Sequence, residues 1–84
     1  MDGKLIEVAR QRIAEKALPA APPKVILGGD SQGTACSLCR AAIAPRAPEI
    51  EIDCGGVTYV LHPDCYLAWS LAIRGAPEHG DRRT

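Results

Sequence analysis

The chain has 84 residues, ten Lys and Arg against ten Asp and Glu, no Phe and only 4% aromatic residues. A formal net charge of zero removes the electrostatic signature of a nucleic-acid-binding protein, leaving at most a local basic face. The stretch after Lys24, about 60 residues, buries too little apolar surface to outweigh ordering entropy of ~1.5 kcal/mol per residue, so a disulfide or metal staple is expected.

Met1-Asp2-Gly3-Lys4 opens a charged, mixed segment rather than an apolar run with a small-residue cleavage site, so no secretory signal is expected. Apolar stretches are interrupted by Lys, Arg, Pro or Gly before they could span a bilayer. The expected setting is therefore a reducing cytoplasm, where thiols meet metal ions more often than one another.

Within residues 1–18, the run from Asp2 to Leu18 reads as an N-terminal amphipathic helix, with Leu5, Val8, Ala9, Ile13 and Ala17 at three- and four-residue intervals. Lys4, Glu7, Arg10, Glu15 and Lys16 fall largely on its other surface. The apolar stripe is expected to pack on the chain's own small core; a partner-binding helix is the other reading. Pro19 and the Pro22-Pro23 pair stop the helix. A Pro/Gly-rich linker over 19–33 follows, in which Lys24-Val-Ile-Leu27 is a brief strand or extended piece closed by Gly28-Gly29. Asp30 to Ala35 reads as loop.

Residues 34–75 carry the chemistry. Cys36 and Cys39 are separated by two residues, and so are His62 and Cys65, with 22 residues between the pairs (positions 40 to 61). Each pair places two donors one turn apart, so a single tetrahedral ion can join two chain segments. Glu49 to Asp53 alternates polar and apolar residues, and Val57 to Leu61 is β-branched and aromatic. Cys54-Gly55-Gly56 between them predicts a β-hairpin with a glycine turn. That hairpin returns the chain and delivers His62 beside the first cysteine pair. Pro63-Asp64 then starts a helix that runs past Cys65 to Gly75, with Leu67 and Leu71, and Trp69 and Ile73 beside them, predicted to cover the hairpin. Residues 76–84 read as a flexible polar tail.

The expected cofactor is one structural Zn²⁺ held by Cys36, Cys39 and Cys65 as thiolates and by His62 as a neutral imidazole whose second nitrogen donates to an oxygen. Three thiolates leave the site with a charge of about −1, to be offset by backbone N–H groups or by Arg40. Unpaired thiols in a small core, with an incidental histidine, are the alternative. Cys54 sits eight positions from His62 at the far end of the hairpin, ~25 Å along an extended strand, and reads as a free thiol. His79 reads as solvated.

The residues Cys36-Ser-Leu-Cys39 and His62-Pro-Asp-Cys65, with a hairpin between and a helix after, resemble a treble-clef zinc finger, and specifically the first zinc module of a LIM domain. The resemblance covers roughly 34 to 75 and no second LIM module, since no further cysteine pair follows Cys65. It implies a small α+β zinc-binding domain, here with an added N-terminal helix, and no particular process, since such folds serve protein contacts, nucleic-acid contacts and enzymes alike.

No enzyme is expected: four protein donors leave no open coordination position, the Cys36-x2-Cys39 motif lacks the βαβ context of a redox site, and neither a phosphate loop nor a Ser-His-Asp set is present. A protein is the expected partner, docking on the hairpin, the helix with Tyr66 and Trp69, or the N-terminal helix. The alternative is a nucleic-acid-binding finger using Lys24, Arg40, Arg46, Arg74, Arg82 and Arg83.

Overall fold

Side chains and backbone bonds between Ile6 and Leu18 decide how the N-terminal segment folds. Ile6 and Ala9 are buried on one face of the first helix, α1 (Gly3–Ala14), which packs against the second, α2 (Pro63–Ile73). The helix stops at Ala14, four residues short of the Leu18 expected from periodicity. Lys16 adopts φ 65°, its N–H donates to Ile13 O at 3.0 Å and the Ala17 N–H reaches back to Arg12 O at 2.8 Å. This pair of reversed bonds, closed by a left-handed residue, is a Schellman termination, and it turns Leu18 into the core.

The structure, a computed structural model, describes residues 3–75 and adds to the helices the strands β1 (Val25–Asp30), β2 (Pro48–Cys54) and β3 (Val57–Leu61). His79, Arg82, Arg83 and the predicted tail 76–84 lie outside the described residues. The strands form one antiparallel sheet in the order β1-β2-β3, giving a small α+β fold of two helices and three strands. Gly55 and Gly56 have φ of 60° and 83°, as a two-residue primed turn demands of both its central residues, so Cys54 opposes Val57 across a tight hairpin. β1 runs longer than its sequence suggests. Gly28 and Gly29, read as its end, continue the ladder opposite Ile50 and Glu49, because pairing with β2 overrides weak local propensity.

Between β1 and β2 the chain doubles back as a small loop-hairpin. Ser31 anchors its base: its hydroxyl donates to Ile43 O at 2.9 Å and accepts from Gly33 N at 3.0 Å, while its N–H donates to Ala47 O at 2.8 Å. Further up, Ile43 N–H bonds Thr34 O and Ala35 bridges Ala42, so Cys36 to Cys39 form the tip.

The core gathers Leu38 and Ile43 from this loop, Ile52 and Leu61 from the sheet, and Ala68 and Trp69 from α2, all fully buried. α2 therefore turns Cys65, Ala68 and Trp69 inward, while Leu67, expected on the hairpin, is 49% exposed. The helix is apolar nearly all round, so periodicity alone does not fix its phase. Trp69 completes its polar needs by donating Nε1–H to Pro19 O at 2.9 Å, which pins the segment after α1 over α2. Among the described residues, no helix is long and apolar enough to cross a membrane.

Candidate metal centre

Three parts of the fold converge on one point. Cys36 and Cys39 come from the loop tip, where Arg40 at φ 69° turns the chain and its N–H returns to Cys36 O at 2.9 Å. The Ser37 N–H donates to Val60 O at 2.8 Å, fastening this tip to the end of β3. His62 follows β3 directly as the residue before α2, with extended φ −60° and ψ 150°, and Cys65 occupies the first turn of α2 behind Pro63 and Asp64. Proline suits that turn and needs no N–H partner there.

The result is a group in which the sulfurs of Cys36, Cys39 and Cys65 and a ring nitrogen of His62 all lie within 4.8 Å of one another. His62 Nδ1 is 3.4 Å from Cys39 Sγ and 3.8 Å from Cys65 Sγ. A tetrahedral ion with bonds of ~2.3 Å to sulfur and ~2.0 Å to nitrogen has sulfur–nitrogen edges of ~3.5 Å and sulfur–sulfur edges of ~3.8 Å, so the four donors stand at coordination spacing. Nδ1 is the atom turned inward. Among the described residues none bonds Nε2, which leaves the oxygen partner expected for the second nitrogen without a counterpart.

Electrostatics separates the three thiols. Burial opposes ionisation of Cys36, yet the backbone N–H groups of Cys39, His62 and Leu38, together with the His62 ring, outweigh it and bring its pKa down to about 7. The Leu38 N–H is 3.4 Å from Cys36 Sγ. At Cys65 burial acts first, and the neighbouring Cys36 and Cys39 add to it, so this thiol is pushed up. Three thiolates this close repel one another unless a cation sits between them, and the group is therefore suited to a metal ion rather than to three independent anions. Of the two expected sources of compensation, backbone amides serve. Arg40 is instead exposed, its guanidinium 3.3 Å from Glu15 Oε1.

Cys54 stays apart from the group, at the end of β2, half-buried with its sulfur 3.8 Å from Ala21 O. All four cysteines are free thiols in the structure. One residue that positions the site escaped the sequence reading. Arg12 donates Nε–H to Leu38 O at 2.7 Å, tying α1 to the peptide between the first two cysteines. The available signal was its spacing, three residues after the buried Ala9, on the face that turns inward.

Comparison of the chain with protein-family models, with curated proteins and with solved structures gives no match.

Proposed function

We propose that the chain is a structural zinc module of the treble-clef kind, in which Cys36, Cys39 and Cys65 bind one Zn²⁺ as thiolates and His62 binds it through Nδ1. The observation that carries the reading is the meeting of four donor atoms within 4.8 Å from residues up to 29 positions apart. Zinc is favoured by the donors themselves, since thiolate with imidazole in a tetrahedral set suits this ion and disfavours hard cations such as Mg²⁺ or Ca²⁺. The likeness to the first zinc module of a LIM domain draws support from the order of parts: a Cys-x2-Cys tip, a glycine-turned hairpin, then a helix whose first turn carries the last cysteine.

Four protein donors fill a tetrahedral shell, so the ion's task is to hold the fold rather than to activate water or substrate. We read the module as a docking platform for protein. The support is a set of exposed apolar side chains, Val25, Ile26, Leu27, Val57 and Leu67, each between 43% and 55% accessible.

Elemental analysis of the purified chain is expected to find one zinc per molecule, and cobalt substitution to give the absorption of a three-sulfur, one-nitrogen tetrahedral centre. His62→Ala and Cys65→Ala are expected to lose metal and cooperative unfolding together, while Cys54→Ser keeps one zinc. Well-ordered His62→Ala protein without metal contradicts the assignment. Titration with single- and double-stranded nucleic acid at low salt is expected to show no association, and salt-sensitive binding would reverse the choice of partner class.

A further inference from the structure

The two edges of the sheet are unlike. At β3 the outer edge is partly used, since Val60 O accepts the Ser37 N–H. At β1 it is open. Ser31 N–H bonds Ala47 O across the ladder, so odd-numbered residues of β1 direct their backbone groups to β2 and the N–H and C=O of Ile26, Gly28 and Asp30 face outward. Every residue of this strand is exposed, Val25, Ile26 and Leu27 at 43%, 50% and 55%. Between Lys24 and Asp30 there is no charge or proline of the kind that normally blunts such an edge.

We propose that β1 pairs with β1 of a second copy of this chain, antiparallel about a two-fold axis through Leu27, making one continuous six-stranded sheet. Two observations select this occupant and this register. The first is charge. Centring on Leu27 brings Lys24 to the end of the shared edge where Asp30 of the other copy lies, and by symmetry Asp30 to Lys24; Lys24 stands one step off the regular ladder, its N–H donating to Asp53 O at 3.0 Å, and its long flexible stem spans that step. Both side chains are exposed and neither has a charged partner among the described residues. The second is shape. Gly28 and Gly29 have ordinary strand conformations, and a Cβ at either would meet nothing within 4 Å, so nothing within the chain calls for glycine there. In the proposed register Gly28 faces Ile26 of the other copy and Gly29 faces Val25, so each gap receives a branched apolar side chain.

The hydrogen-bonding pattern is compatible with this register. Ile26 and Gly28, both with outward backbone groups, become bonded partners in each direction, giving about four new main-chain bonds. Leu27, whose own groups serve β2, becomes the unbonded central pair, where opposed Cα atoms approach to ~4.5 Å.

Sedimentation of the full chain across a concentration series is expected to show a monomer–dimer equilibrium. Leu27→Asp sets two carboxylates against each other at the axis and is expected to yield monomer with metal content and far-ultraviolet circular dichroism unchanged. Lys24→Asp alone is expected to weaken association by roughly tenfold or more, and adding Asp30→Lys to restore it. In a sample mixing isotope-labelled and unlabelled chains, a contact between the two Leu27 Hα protons is expected. A chain that stays monomeric at every concentration overturns the proposal, and it is the result if another stretch of this chain or a foreign extended peptide covers the edge. So does a dimer indifferent to these substitutions, or one that the double reversal does not restore.

Discussion

Arg12 and Cys65 show how much single side chains govern this site. The Arg12 side chain is 13% exposed and its bond to Leu38 O is charge-assisted, so Arg12→Ala is expected to lower stability by ~1.5–3 kcal/mol in denaturant unfolding, beyond the loss of its stem packing. Glu15, the other contact of Arg12, is 41% exposed and contributes little. Cys65 sets the proton traffic of metal uptake. Its thiol, pushed up by burial and by the two other thiols, holds its proton at neutral pH, whereas Cys36 near 7 has already given up much of its own. Under the proposed zinc assignment the ion displaces the Cys65 proton, so affinity is expected to rise with pH and fall as pH drops. Calorimetry in buffers of different ionisation enthalpy should register proton release, and heats independent of the buffer would contradict it.

At the scale of elements, the chain is legible where local chemistry and tertiary demand agree. The meeting of Cys36, Cys39, His62 and Cys65 was readable because paired spacing on either side of a hairpin brings the two pairs together, and the hairpin because two consecutive glycines suit the only turn that needs both in the left-handed region. Misreadings fall where one side chain stands in for the usual signal. α1 ends at a lysine in place of the glycine that normally marks a left-handed cap, so periodicity ran on to Leu18. Lys16→Gly is therefore expected to raise stability by ~0.5–1 kcal/mol, read as an upward shift in the unfolding midpoint, because relief of the left-handed cost of ~1–2 kcal/mol exceeds the added freedom of the unfolded chain. The phase of α2 was misjudged at Leu67 although a clue was present. Cys65, if it faces the core, places positions 68, 69 and 72 beside it, and Ala68 and Trp69 are the buried pair. The length of β1 was not readable at all, since Gly28 and Gly29 join the ladder only through pairing with β2.

At the scale of the molecule, the apolar core of the described residues is one small cluster of short side chains around Trp69. A structural zinc ion contributes an apparent ~10–16 kcal/mol, comparable to or larger than the net stability of an ordinary domain, so if the proposed assignment holds, removal of the ion is expected to unfold the chain. Trp69 is the sole tryptophan and is fully buried, which makes its emission a direct reporter. A strong chelator is expected to shift that emission to the red with a simultaneous loss of secondary structure, and restored zinc to reverse both. Emission that stays blue after complete metal removal would mean that the core stands without the ion.

The loop tip bearing Cys36 and Cys39 is closed by its own short-range bonds, whereas His62 and Cys65 reach it only after β2 and β3 have zipped together. Under the proposed metal assignment, assembly is thereby expected to be ordered in time. An incoming ion would first meet a two-sulfur claw, and the remaining two donors would arrive with closure of the hairpin, an event of roughly microseconds. Refolding should accordingly quicken with ion concentration and then level off, at a ceiling set by how fast the chain can fold over what it has already caught.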